Sequence, residues 1–197
     1  MTTTPGASVQ ETAQQTGKCH FSSDQYHWLI EAGILGTNHK VELIGGEILP
    51  MPPMGDNHGD SIADLALWLS DHRAQGYIPR CQVTIRLAEG FTPDPDFTLL
   101  RYREDGYGPH HRPNAGDVML IIEVSDSSLA WDLGPKGMAY AQAGIPELWV
   151  VDLPNKQIHR FTQPSPEGYG ETTIVAEDDI ITPLLIPNLH LPVREAL

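Results

Sequence analysis

The sequence predicts a mixed α/β fold, with a β-sheet that has helices on both faces and additional β-hairpins. Three stretches lead there. In "DSIADLALWLSDHRAQG", Ile62, Leu65, Ala66 and Leu69 recur at the i, i+3, i+4, i+7 spacing of an amphipathic helix, with Gly76 as its stop. In "DVMLIIEVS", Val118 to Val124 is apolar apart from Glu123, which describes a strand covered on both faces. A helical stretch and a second apolar run, "ELWVVD", follow it, and strand, helix, strand with short connections is the pattern of a parallel crossover at a sheet centre.

The remaining elements fall into place around these. "SSDQYHWLIEAG" has a Ser/Asp start, Tyr26, Leu29 and Ile30 at helical spacing and Gly33 as a stop, so it reads as a short helix. "KVELIGGEILPMP" places two apolar runs around Gly45-Gly46, a hairpin signal. The long helix is expected from Gly59 to Gly76. "YIPRCQVTIRL" and "DFTLLRY" read as strands, and "REDGYGPHHRPNAGD" as a surface loop. A helix from about Leu133 to Ala143 tolerates Pro135 in its first turn, with Asp132 as its N-cap. "ELWVVDLPNKQIHRF" is a second hairpin turning at Pro154-Asn155, and C-terminal strands close the chain. Residues 1–17 are polar and aperiodic and read as a disordered tail, which leaves 18–197 as a single domain.

Composition narrows the function. No window approaches the roughly 18 uninterrupted apolar residues of a membrane span, and the first residues lack the basic and apolar regions of a secretory signal, so a cytoplasmic protein is expected. Cys19 and Cys81 form no Cys/His cluster and read as buried reduced thiols. A net charge of −14 argues against a broad basic surface for nucleic acid, so any phosphate chemistry must be local.

Three features carry candidate chemistry. Met119, Ile121, Glu123 and Ser125 share one strand face, and Glu123 stands near the strand's carboxyl end. Ionised and buried there it costs roughly several kcal/mol unless a cation or donors compensate it. In "FTPDPDFTLL", Pro-Asp pairs hold an acid at a strand entrance; Asp96 borders the strand, and Asp94 is the alternative. Lys136 shares a helix face with Ala139, Tyr140 and Ala143, where an ammonium must find a partner, enter a cavity or snorkel to solvent. Two carboxylates and an amine converging at one sheet end can bind a hard divalent cation and leave the ammonium beside it.

Taken in order, "VELIGGEI", "HG" at the long helix, "PDFTLL", "IIEVSDSS" and "YAQAGIPELWVVDL" resemble the Uma-type "putative restriction endonuclease" family of the PD-(D/E)XK nuclease superfamily. The superfamily lysine would stand two residues after the glutamate, where this chain has Ser125; the Uma-type pattern moves it to the following helix, at Lys136. The resemblance implies a restriction-endonuclease-like core and a DNA endonuclease using Mg²⁺ or Mn²⁺. Asp96 and Glu123 would be metal ligands, the Val124 carbonyl a third, and Lys136 the group that positions the attacking water or stabilises the transition state. Glu42 would complete the metal shell or stand behind it, and His58 and Ser125 would stand behind the ligands; Glu42 is otherwise a solvent-facing hairpin residue, and His58 a helix-entry donor. Glu147 and Asp152 read as turn and pairing residues. Apolar C-terminal strands and few basic residues favour a homodimer. Two other functions fit the same residues: a silent nuclease-like binding module, and a hydrolase of a small phosphodiester, which suits the acidic surface.

Overall fold

The computed structural model describes residues 19–35, 41–51, 55–73, 76–108 and 111–197; the segment 1–17, expected to be disordered, lies outside them. The chain forms two compact units, Met1–Met51 with Arg86–Pro93, and Pro52–Ile85 with Asp94–Leu197.

In the first unit, α1 (Ser23–Glu31) begins with a capping box: Ser22 Oγ accepts from Gln25 N at 3.0 Å, and Gln25 Oε1 accepts from Ser22 N at 2.9 Å. β1 (Val41–Ile44) and β2 (Glu47–Pro50) form the expected hairpin. Gly45 and Gly46 take φ of 60° and 78°, the left-handed pair that a two-residue hairpin turn requires. Tyr26, Leu43, Ile44, Leu87 and Phe91 are buried in this unit, and the Tyr26 hydroxyl donates to Val41 O at 2.8 Å.

The second unit holds a six-stranded sheet in the order β3 (Tyr77–Cys81), β4 (Phe97–Arg101), β5 (Val118–Ser125), β6 (Glu147–Asp152), β7 (Gln157–Ser165), β8 (Gly168–Ala176). Only β5 and β6 are parallel, as the crossover pattern requires; the other neighbours are antiparallel. β3 is shorter than its apolar run because Gln82 turns left-handed at φ 49° and ends the pairing. Pro79 fits an edge strand, where no amide donor is needed on the outer side. β9 (Ile180–Ile181) and β10 (Leu191–Pro192) form a small separate ladder.

α2 (Asp56–Asp71) starts three residues ahead of the expected Gly59, because Asp56 suits the positive end of the helix dipole and Gly59 is tolerated in the first turn. It ends at His72, whose Nδ1 lies 2.8 Å from Trp68 O and whose ring stacks on Trp68. Its Ile62, Leu65 and Leu69 join one core with Phe97, Leu99, Leu120, Ile122, Val124, Trp149 and Val151. Alternation turns Ile121, Glu123 and Ser125 to the opposite face. The crossover covers that face as α3 (Leu129–Trp131), a π-helical turn (Asp132–Lys136) and α4 (Gly137–Gln142). The expected single helix from Leu133 is thus interrupted. Gly137 N–H donates to Asp132 O, five residues back, and a Cβ on Gly137 would lie 2.9 Å from that oxygen, closer than side chains approach. Cys19 and Cys81 are free and exposed rather than buried, Cys81 at the end of edge strand β3.

Leu65→Ala, which empties a fully buried position on α2, is expected to cost about 2–5 kcal/mol by chemical denaturation. Leu67→Ala, at a 69% exposed position one residue pair along, should stay within about 0.5 kcal/mol of wild type.

Candidate active site

Asp96 ends the irregular segment before β4, one step beyond the Phe97↔Ile122 pair, which sets it across the ladder from Glu123. Residues so opposed carry their Cβ atoms about 5 Å apart. Both are buried, at 7% and 3% exposure. Asp96 is held from three directions: Oδ2 accepts from Val124 N at 2.8 Å, Oδ1 accepts from Gln82 Nε2 at 3.3 Å, and His58 Nε2 lies 3.3 Å from Oδ1. The left-handed backbone at Gln82 also lets its own N–H reach Asp96 O at 3.0 Å, so one strained residue clamps both main chain and side chain of the aspartate.

Glu123 meets the crossover. Its Oε1 lies 2.9 Å from Lys136 Nζ and accepts from the Tyr140 hydroxyl at 2.5 Å. Lys136 and Tyr140 are four residues apart, one helical turn, so a single helix face delivers both donors. Lys136 is 4% exposed: its ammonium does not snorkel to solvent but ends on Glu123. Just behind, Ser125 Oγ donates to Asp132 Oδ2 at 2.7 Å, tying the first π-helical residue to the end of β5. Asp132 therefore does not act as the expected N-cap; no side-chain cap bond is made at the start of α3 or of the π turn, and its carboxylate is used by Ser125 instead.

Charge accumulates here. Burial raises the Asp94 carboxyl above its usual value, with a hydrogen bond from Thr84 and the charge of Lys136 opposing that rise. His58 is raised as well, first by its hydrogen bond to Asp96, against the effect of burial, and further by the charges of Asp96, Asp132 and Asp126. Lys136 and His58 bring cationic groups to these acids: Lys136 pairs with Glu123 and its charge reaches Asp94, and His58 pairs with Asp96.

The structure thus brings together Asp96, Glu123, Lys136, Val124, His58 and Ser125. His58 lies inside the first turn of α2 rather than ahead of it, and its ring is spent on Asp96. Glu42 belongs to the other unit, in β1 opposite Leu49; at 5% exposure it is not a solvent-facing hairpin residue. Tyr140 and Gln82 are additions. Tyr140 was visible as a polar tip on the helix face of Lys136, whereas nothing local marked Gln82. Glu147 and Asp152 do serve pairing and turns: Glu147 accepts from Trp149, Arg160 and the Leu184 amide, and Asp152 from Asn155 and Gln157, with His159 Nε2 3.0 Å away.

This mixed sheet with its central parallel pair and flanking helices defines a restriction-endonuclease-like nuclease fold. The chain belongs to the Uma2 family, described as "Putative restriction endonuclease", which it matches over residues 23–194. It is similar to the crystal structure of a "putative nuclease belonging to DUF820" from Anabaena variabilis ATCC 29413, with a TM-score of 0.68 and 14% identity, over 89% of this chain and 97% of that one. No curated protein matches it.

Removing one partner of a buried ion pair strands the other charge, so Lys136→Met is expected to cost about 3–5 kcal/mol, and Glu123→Gln combined with Lys136→Met to recover most of that loss in urea unfolding. His58 has its folded pKa raised above an unfolded value near 6.5, so its contribution is complete below that value and is lost as pH rises through the higher folded one. The stability gap between wild type and His58→Gln should therefore be full below about pH 6.5 and narrow as pH rises above it; a gap that widens would reverse the assignment.

Proposed function

We propose that the chain is an endonuclease that hydrolyses DNA phosphodiester bonds with Mg²⁺ or Mn²⁺. The observation that supports this reading best is the placement of Asp96, at the entrance to β4, across from Glu123 on β5, with the Lys136 ammonium 2.9 Å from Glu123. The donors suit a hard cation: carboxylate oxygens of Asp96 and Glu123, with Asp94 as the alternative acid, and the Val124 carbonyl. That set contains two ligating side chains, which is compatible with the absence, among the described residues, of any group of three His, Cys, Asp or Glu side chains poised to hold a metal. Such an ion, when bound, lowers the pKa of a coordinated water and neutralises phosphate charge.

The protein's own residues divide the rest of the work. Val124 N–H and Gln82 fix the rotamer of Asp96, so its oxygens are presented without reorganisation. Tyr140 holds Glu123 when Lys136 turns toward substrate, and the ammonium then stabilises negative charge gathering on the phosphoryl oxygens. Ser125 and Asp132 keep the start of the crossover on β5, so that this ammonium stays over the site. A cytoplasmic homodimer would offer one such site to each DNA strand. Among the described residues no helix is long and apolar enough to cross a membrane.

The net charge of −14 favours a second reading, hydrolysis of a small phosphodiester, since duplex DNA is repelled at long range. Supercoiled plasmid and bis-nitrophenyl phosphate separate the two. With Mg²⁺ or Mn²⁺ the wild type should nick plasmid, and Asp96→Ala, Glu123→Ala and Lys136→Ala should each lose about 100-fold or more. Equal nicking by all four proteins would identify a contaminant and end the proposal. Turnover of the small ester with intact plasmid would select the second reading.

A further inference from the structure

On the face of the sheet opposite the crossover, a cavity of about 320 Å³ opens beside β7 and β8, lined by Pro146, Arg160, Thr162, Glu171, Thr173 and Leu184 among others. Its basic group is built in an unusual way. Glu147 is fully buried at the start of β6 and accepts from Arg160 Nε at 2.7 Å, from Trp149 Nε1 at 2.7 Å and from the Leu184 amide. A carboxylate so placed needs a cation, and the neighbouring strand supplies Arg160, which pairs directly with Trp149 on β6. The guanidinium is thereby oriented through Nε alone. Its two terminal amino groups make no hydrogen bond to any described residue, although the side chain is only 28% exposed.

Neutralising Glu147 explains the Nε contact and leaves the outer edge of the guanidinium, at the cavity, without a use. That edge presents parallel N–H donors of the kind that grip a carboxylate or phosphate bidentately, and the volume suits a small molecule. Across the cavity Glu171 Oε2 accepts from Thr162 Oγ1 at 3.0 Å and from Gln163 Nε2 at 3.1 Å, which holds this acid in place on β8 and leaves the arginine as the cation at the cavity wall. Because Glu147 and Glu171 are both acidic, the site has no net positive charge, and recognition rests on the directed N–H donors of the guanidinium edge.

We propose that this cavity is a binding site for a small oxyanion, a carboxylate or a phosphate, with Arg160 as its anchor, separate from the nuclease site and independent of it. The test follows the ¹⁵N-resolved Arg160 Nε–H signal of the full chain, titrated in separate arms with inorganic phosphate and with acetate. A saturable shift is expected in at least one arm, and the arm that responds names the ligand class. Thr173→Phe, which fills the cavity from β8 directly across the ladder from Arg160, should weaken binding by about 10-fold or more. The double variant Glu123→Gln/Lys136→Met, which leaves no stranded charge, should leave the titration unchanged. No saturable shift in either arm would overturn the proposal, as would a shift that survives Thr173→Phe or disappears in the folded double variant.

Discussion

The ion pair between Glu123 and Lys136 is the constraint around which the second unit is arranged. β5 is buried along its whole length, so its single acid must be neutralised from within the protein. The partner comes from the crossover that joins β5 to β6, and the Tyr140 hydroxyl from the next turn completes the carboxylate. A helix that has to deliver an ammonium and a phenol to one oxygen cannot slide along the sheet. The position of the crossover, and with it the parallel pairing of β5 with β6, is tied to chemistry rather than to apolar contact alone.

The same device recurs. Asp96 has His58, Glu147 has Arg160, and Asp152 has His159, each acid seated in or beside a strand and each met by a basic group from elsewhere in the fold. With only 12 Lys and Arg against 26 Asp and Glu, the chain commits Lys136 and Arg160 to buried acids and uses histidines at the other two, while further arginines pair with exposed acids such as Asp24, Asp105 and Asp178. Those cations are accordingly matched locally. Asp94 is raised by burial, with Thr84 and the charge of Lys136 opposing that rise.

Much of this was legible in the sequence, and the parts that were not share a cause. Period and composition sufficed for α2, for the Gly45-Gly46 hairpin and for β5 with its misplaced acid, because each depends on residues within a few positions. Lys136 was readable as an ammonium on an apolar helix face, and Asp96 as an acid held at a strand entrance. The clamp on Asp96 was not readable: Gln82 is 14 positions away and His58 38 positions away, and a left-handed glutamine has no local signature. Asp132 looked like an N-cap since an acid before a helix usually is one; the Ser125 hydroxyl captured it through a contact that exists only once the crossover has docked. Exposure of Cys81 likewise follows from β3 being a sheet edge, which is a property of topology rather than of the residues around the thiol.

The π-helical turn at Asp132–Lys136 gives the crossover an extra residue relative to a regular helix. Each residue advances a helix by about 100°, so the inserted position rotates everything after it by that angle relative to everything before. Asp132 and the Lys136/Tyr140 pair therefore have separate helical phases, one matched to Ser125 and the other to Glu123. Loss of a single residue from this turn would close it to an α-helix and leave the composition of the site intact while aiming one of the two groups away from β5. Spacing in this region is thus read by the fold as an angle, and a lysine can leave its place beside the glutamate provided the helix that carries it keeps that angle.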